Sequence, residues 1–104
     1  MGLRLTEQSL KVLKLFLDDP RASHSGAALM KSIGLSSGTL YPILMRFEDA
    51  GVLDSAWESE TPQALGRPRR RLYTITGEGQ RVAGEALAGL GVPASGLLWP
   101  EFAR

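Results

Sequence analysis

Residues 36 to 53 read SSGTLYPILMRFEDAGVL, and this run decides the fold. Small hydroxyl residues at its start are typical of a helix N-terminus, and the glycine near its end favours a helix stop that leads into a strand. Its apolar residues have the i, i+3, i+4, i+7 spacing of a helix with one buried face. They are Leu40, Ile43, Leu44 and Phe47. The run therefore predicts a helix that exposes Thr39, Tyr41 and Arg46.

Two further helices are expected before this run. Ser25 can cap a short one, and Gly34 can end it because glycine tolerates the left-handed conformation of a helix C-terminus. Two helices joined by a turn of about three residues that contains glycine are the defining geometry of a helix-turn-helix. The earliest helix can be capped by Thr6 and should stop before Asp19 and Pro20. Its apolar face is expected to contain Leu10, Leu13, Phe16 and Leu17.

After the run, helical spacing gives way to alternation. Leu53, Ser55 and Trp57 alternate with polar or small residues, which indicates a strand with one buried face. Residues 66 to 76 read GRPRRRLYTIT and supply a basic hairpin tip and a returning strand. Residues 61 to 69 contain two prolines and a glycine, which predicts a flexible tip rather than a tight two-residue turn. The expected fold is α+β, mostly α: a winged helix-turn-helix with a two-stranded wing and a C-terminal dimerisation helix.

The chain should divide into a DNA-binding domain at residues 1 to 76 and a dimerisation helix and tail at residues 77 to 104. Thr76 can cap the last helix. Large apolar residues in the first helix, the last helix and the tail would lack cover in a monomer, which predicts a homodimer. The predicted dimerisation residues are Val12, Leu15, Val82, Ala86, Leu90, Leu97, Leu98, Trp99 and Phe102.

The distribution of charge, rather than its total, points to double-stranded DNA as the partner. The net charge is only +1, but four arginines fall within residues 67 to 71. Helix-end amides and small hydroxyls can bond phosphate oxygens, and arginines on a hairpin suit phosphates or a minor groove. The predicted DNA-binding residues are Ser37, Gly38, Thr39, Tyr41, Arg46, Arg67, Arg69 and Arg70. Arg71 lies either at the tip or along the strand stem.

Several function classes are excluded or disfavoured by what the chain lacks. It has no cysteine and one histidine, which rules out thiolate-based zinc chemistry and leaves no plausible metal or catalytic centre. We expect neither a cofactor nor an enzymatic activity. Charged residues interrupt the leucine-rich N-terminal part, so the sequence predicts a soluble cytoplasmic protein without a membrane partner.

Residues 8 to 79 resemble the winged-helix domain of the PadR family of bacterial transcriptional regulators. The matching pieces are Ser37 to Pro42, Leu44, Arg46, Glu48, Gly51, Leu53, Trp57-Glu58, Gly66 to Arg69 and Tyr73 to Gly79. The resemblance implies a homodimer whose third helix enters the major groove and whose hairpin touches DNA beside it. It implies groove or phosphate roles for Ser37, Thr39 and Tyr41, and wing roles for Arg67, Arg69 and Arg70. In that family the C-terminal helix packs against the first helix of the partner.

Two departures from the family pattern concern the wing tip and the C-terminus. The tip at residues 61 to 65 is longer than usual, and the C-terminal part is short and interrupted by proline. Some short members of the family resembled here bind flat aromatic compounds between tryptophans at the dimer centre. Trp99 is therefore a candidate contact for a small aromatic effector, and burial in the dimer core is the alternative.

The functional expectation is a sequence-specific transcriptional regulator, a dimeric repressor that occupies an inverted-repeat operator. The alternative is a winged-helix module that binds a protein partner and uses its arginines on acidic side chains. An ordinary capped helix, with Tyr41 lying on a neighbour, is the corresponding alternative for the recognition helix.

Overall fold

The fold is described from a computed structural model, which covers residues 5–89 of the 104-residue chain. The elements, in chain order, are α1 (Glu7–Asp18), β1 (His24–Ser25), α2 (Gly26–Ile33), α3 (Ser37–Asp49), β2 (Leu53–Trp57), α4 (Pro62–Leu65), β3 (Arg71–Ile75) and α5 (Gly77–Gly89). The predicted α+β, mostly helical fold is confirmed. None of the helices within residues 5–89 is both long and apolar enough to cross a membrane. The predicted roles of Leu90, Leu97, Leu98, Trp99 and Phe102 fall outside the described residues.

Three helices begin at the hydroxyl residues that the sequence marked as caps. The Thr6 hydroxyl accepts the Ser9 amide at the start of α1, and the Ser9 hydroxyl accepts the Thr6 amide in return. Ser25 accepts the amide of Ala28 at 3.1 Å in α2. In α5, Thr76 accepts the amide of Gly79 at 2.8 Å. Each bond satisfies one of the amides that a helix start leaves without an intrahelical partner.

The inner face of α3 forms the centre of the core. Leu40 and Leu44 are fully buried, and Ile43 and Phe47 nearly so, as their spacing predicted. They pack in one cluster with residues from α1, α2, both wing strands and α5. Full burial of one large aliphatic side chain contributes about 1.5 to 3 kcal/mol, so this stripe holds α3 with its opposite face turned outward.

The buried side of α1 differs from the expected one. Val12 is fully buried within the monomer, together with Leu13 and Phe16, so the prediction that it needs the cover of a second chain is wrong. The cause is that α1 touches two neighbours at different angles around its axis. Its inner side enters the main core, while Leu10 and Leu17 pack against Leu87 of α5.

The sheet has three strands in the order β1-β3-β2, all antiparallel, so the predicted two-stranded wing gains a short third strand. Strand β1 was missed because two residues are too few to show alternation. The predicted buried face of β2 ends early, since Leu53 is buried and Trp57 is 60% exposed. The wing projects beyond the helical layer, so alternation in its outer half does not lead to burial.

The end of α3, the start of β2, the end of β3 and the start of α5 meet at one junction around Val52. The Val52 carbonyl accepts the Thr76 amide at 2.9 Å, and the Thr76 hydroxyl donates to the Gly51 carbonyl at 2.6 Å. A Cβ on Gly79 would overlap the Val52 carbonyl group, so only glycine allows α5 to start this close. The junction therefore connects α3, the wing and α5 through backbone groups and the Thr76 hydroxyl.

Replacement of Gly79 by alanine should destabilise the protein by roughly 1 to 3 kcal/mol, the usual range for overpacking, because the obstructing atoms are backbone. Gly38 is the matched control, since it also lies in a first helical turn but has open space around a built Cβ. Gly38→Ala should stabilise by about 0.5 to 1 kcal/mol through helix propensity. Urea unfolding measures both. Equal stability of the two variants would contradict the close approach at Val52.

Stability should also depend on pH through His24, the single histidine of the chain. Its Nε2 is buried without a hydrogen-bond partner in the described residues, and its ring meets Phe16 edge-on with the centroids 5.1 Å apart. Burial lowers the pKa of His24 below 6.5, against the smaller opposing effect of Asp19. The unfolded chain then binds more protons, so stability is complete above pH 6.5 and decreases as the pH falls through that value towards the folded pKa. Thermal melts across this range should show the loss in the wild type and not in His24→Leu; parallel curves would exclude His24 as the titrating group.

Candidate nucleic-acid interface

The outward face of α3 is open, and its N-terminus lacks a side-chain cap. Ser37, Gly38, Thr39 and Arg46 are all exposed, as predicted. Unlike the helices above, α3 receives no side-chain hydrogen bond from its N-cap residue, Ser36, whose hydroxyl donates instead to Thr39 Oγ1 at 3.2 Å. The amides of Ser37 and Gly38 therefore remain available to an external acceptor, whereas the Thr39 amide donates to the Ser36 carbonyl at 3.1 Å. The helix dipole favours an anion at this end of α3.

Tyr41 extends from α3 towards the start of α2. The Tyr41 ring lies against the backbone of Gly26, the first residue of α2. Any larger residue at position 26 would displace the ring, because its Cβ would overlap the phenol. The side of the ring that faces away remains open, and Tyr41 is 39% exposed. The alternative expectation that Tyr41 lies on a neighbour is thus met in part, while its exposed surface stays available to a ligand.

The wing arginines have different local roles. Arg67 makes a two-pronged ion pair with Glu58, with nitrogen to oxygen distances of 2.7 and 3.0 Å. Glu58 also accepts the backbone amide of Arg70 at 2.8 Å. These bonds lower the pKa of Glu58 to about 2, and the hydrogen bonds from Arg67 have the largest effect. We call this three-residue arrangement the Glu58 clamp.

Arg69 and Arg70 are the exposed cations of the wing tip. Arg69 donates from Nε to the Glu60 carbonyl at 2.9 Å, which orients its guanidinium without neutralising it. Within the described residues, no carboxylate lies within ion-pair distance of either guanidinium. Both therefore keep their charge available to an anionic partner.

Arg71 is a strand residue at the base of the wing, the second of the two positions that the sequence allowed for it. Its Nε donates to Ser55 at 2.8 Å, and the Ser55 hydroxyl donates to Glu48 of α3 at 2.5 Å. The guanidinium also lies 3.6 Å from Glu48 and 5.5 Å from the centre of the Trp57 ring. This network ties the wing to the C-terminal end of α3 and so fixes the angle between them.

A cleft of about 320 Å³ lies between α3 and the wing. It is lined by Ser25, Gly26, Ala27, Tyr41, Trp57, Arg70, Arg71 and Tyr73. Burial raises the pKa of Tyr73. Of the two arginines in the lining, Arg71 is paired with Glu48, whereas Arg70 is exposed and has no ion pair within the described residues. Arg70 is therefore the group of this cleft whose charge can meet a phosphate.

The sequence predicted the main residues of this surface, but not the two acidic residues that hold the wing arginines in place. The exposed α3 residues and Arg70 were expected, whereas the roles of Glu48 and Glu58 were not. The signal for Glu58 was the hairpin register: Trp57 pairs with Arg71, which places Glu58 opposite Arg70. The tip is also more regular than predicted, because residues 62–65 form a helical turn capped by Thr61. No cluster of three or more histidine or acidic side chains within residues 5–89 is arranged to hold a metal.

The described dimerisation candidates other than Val12 lie at the edge of the core. Leu15, Val82 and Ala86 are each half-buried in the monomer. Their role in a dimer stays a prediction.

Comparison with known proteins gives the family of this fold. The model of the PadR-like family of transcriptional regulators matches residues 24–85, which include both wing strands and the whole of α3. The chain belongs to this family. It is therefore a transcriptional regulator rather than an enzyme, as the sequence motifs and the resemblance predicted. A search of curated proteins gave no significant match.

Solved structures agree with the PadR-like assignment. A PadR family transcriptional regulator from Eggerthella lenta is 30% identical, with a TM-score of 0.63, and the match covers 81% of this chain and 75% of that one. A PadR-like transcription factor from Bacteroides fragilis is 22% identical, with a TM-score of 0.64, covering 81% and 82% of the two chains. A possible transcriptional regulator from Methanosarcina mazei is 21% identical, with a TM-score of 0.62, covering 84% and 71%. The last two support the fold alone.

Proposed function

We propose that this PadR-like regulator binds double-stranded DNA in a sequence-specific manner and acts as a dimeric repressor on an inverted-repeat operator. The observation that carries the proposal is the cleft between α3 and the wing. Its walls present Tyr41 on one side and Arg70 on the other. A DNA strand whose major groove receives α3 would pass its phosphates along this cleft towards the wing.

The residues on the two sides of the cleft have different roles in binding. The open N-terminal turn of α3 offers Ser37, Gly38 and Thr39 to the groove edge or to phosphates, and Arg46 extends from the same face. The absence of a side chain at Gly38 lets the helix end approach the duplex closely. Arg69 and Arg70 supply charge to the neighbouring phosphates or minor groove, which gives affinity without sequence preference.

The dimer proposal rests on the half-buried apolar edge and on the symmetry of operators. Leu15 of α1 and the pair Val82 and Ala86 of α5 would meet the same surface of a second copy. In this proposal residues 1 to 76 bind DNA and residues 77 to 104 hold the dimer together. A two-fold dimer places its recognition helices about 34 Å apart, one turn of B-form DNA. Repression then follows from occupancy of a promoter site and needs no chemical step.

Binding should depend on the charge of the wing rather than on the charge of the whole molecule. Arg70→Ala should weaken binding to all duplexes and flatten the slope of log K against log salt by about 0.9 for one lost phosphate contact. The matched control is Arg81→Ala, which removes the same charge from α5, where Arg81 pairs with Glu78 and Glu85. Its slope should be that of the wild type.

Fluorescence anisotropy with a duplex selected from a random pool, repeated over a salt series, measures both variants. The selected sequences should contain an inverted repeat. Failure to select any duplex would refute DNA binding and favour the protein-interaction alternative. Equal slopes for Arg70→Ala and the wild type would remove Arg70 from the DNA surface.

The dimer should be visible in sedimentation at micromolar concentration as one species of twice the chain mass. Val82→Glu should shift this species towards the monomer, because a half-buried position that is covered by a partner would bury one unpaired carboxylate in each copy. The control is Ala88→Glu, a change at an exposed position of the same helix. A monomeric wild type, or a Val82→Glu protein that still sediments as the dimer, would contradict the proposed interface.

A further inference from the structure

The wing tip has little apolar support of its own. Helix α4 is a single turn and contains no buried residue, and one turn is too short to be stable in isolation. It is held by polar bonds: the Thr61 cap at its start, and the amides of Gly66 and Arg67 donating to the Pro62 carbonyl at 2.9 and 3.2 Å. Burial therefore does not order this loop, and the contacts that close it must do so.

The Glu58 clamp closes the loop at its base. The Glu58 amide donates to the Arg70 carbonyl at 2.9 Å, and the Glu58 carboxylate accepts the Arg70 amide and both terminal nitrogens of Arg67. The carboxylate is well shielded, since only 18% of the Glu58 side chain is exposed, against 32% for Arg67. The pair is thus a bidentate, partly desolvated one, the kind of surface ion pair with the best-defined geometry.

We propose that Glu58 is a positioning residue for DNA binding: through Arg67 and the Arg70 amide, its carboxylate fixes the wing so that Arg69 and Arg70 face the duplex. Arg67 then serves the fold of the wing and is not itself a phosphate contact. The proposal rests on the proposed DNA-binding function. According to the proposal, the negatively charged Glu58 increases the affinity of a cationic surface for DNA.

This effect opposes the one that charge alone predicts. Removing an acidic group beside DNA lowers repulsion and raises the net charge by one, so electrostatics by itself would strengthen binding. Loss of the clamp instead lowers the fraction of molecules whose wing is in the binding conformation. If that fraction falls to about a tenth, the apparent Kd rises about tenfold. The sign of the change in Kd therefore decides between the two effects.

The test compares Glu58→Gln with Glu60→Gln in the full chain. Both remove one negative charge from the same loop, and Glu60→Gln keeps the backbone carbonyl that accepts Arg69. Anisotropy with the selected duplex should show an apparent Kd about tenfold higher for Glu58→Gln, and an unchanged or lower Kd for Glu60→Gln. Binding by Glu58→Gln that is as tight as that of the wild type, or an equal loss in both variants, would overturn the proposal.

A double variant separates positioning from direct contact. Arg67→Ala should lose about as much affinity as Glu58→Gln. The double variant should bind no more weakly than the weaker-binding of the two single variants. Losses that multiply in the double variant would instead make Arg67 an independent DNA contact. The salt slope of Arg67→Ala should equal that of the wild type, whereas Arg70→Ala flattens it.

Order in the free wing provides a readout that needs no DNA. In Glu58→Gln the backbone heteronuclear NOE of Ala64 and Leu65 should fall, while that of the α3 amides is unchanged, because Glu58 lies outside the apolar core. A rigid tip in Glu58→Gln would overturn the clamp even if affinity fell. Absence of DNA binding by the wild type would refute the proposed function, and the NOE measurement would still decide whether Glu58 orders the wing.

Discussion

The arrangement of this protein depends on the carbonyl groups of Gly51 and Val52, which follow the end of α3. They accept the hydroxyl and amide of Thr76, which is at once the residue after β3 and the cap of α5. Gly79 then allows the first turn of α5 to lie directly against Val52. These hydrogen bonds constrain the chain, because a hydrogen bond weakens steeply when its donor turns away from the acceptor. A shift at this point would move α3, the wing and α5 relative to one another.

From that junction the two faces of α3 take separate roles. The inner stripe is fully or almost fully buried and fixes the rotation of the helix about its axis. The outer face is exposed, with an uncapped N-terminal turn and an exposed arginine. Core packing therefore aims the outer face, and a ligand meets a surface that is already oriented. The Glu48, Ser55 and Arg71 network extends this rigidity from α3 into the base of the wing.

The outer wing is organised by charge and not by burial. Of its arginines, Arg67 is paired to Glu58 and Arg71 to the Glu48 network, which leaves Arg69 and Arg70 as the exposed cations. A cluster of like charges repels itself, and an acid placed among them offsets that repulsion while fixing their geometry. The number of arginines in such a loop is therefore larger than the number of unpaired positive charges. The positions of the acidic residues show which arginines remain unpaired.

The sequence by itself determined α1, α2, α3 and α5, the hydroxyl caps of α1, α2 and α5, the core stripe of α3 and the two strands of the wing, but not the helical turn α4. These follow from local rules: side-chain period, hydroxyl caps and glycine at a left-handed stop such as Gly34, whose φ is 82°. Only the tertiary structure decided the burial of Val12, the exposure of Trp57, the strand β1 and the partners of Arg67 and Arg71. Each depends on groups far apart in the chain whose distance and direction are set by packing. Periodicity shows which face of an element is apolar, but not how far the neighbouring layer extends to cover it.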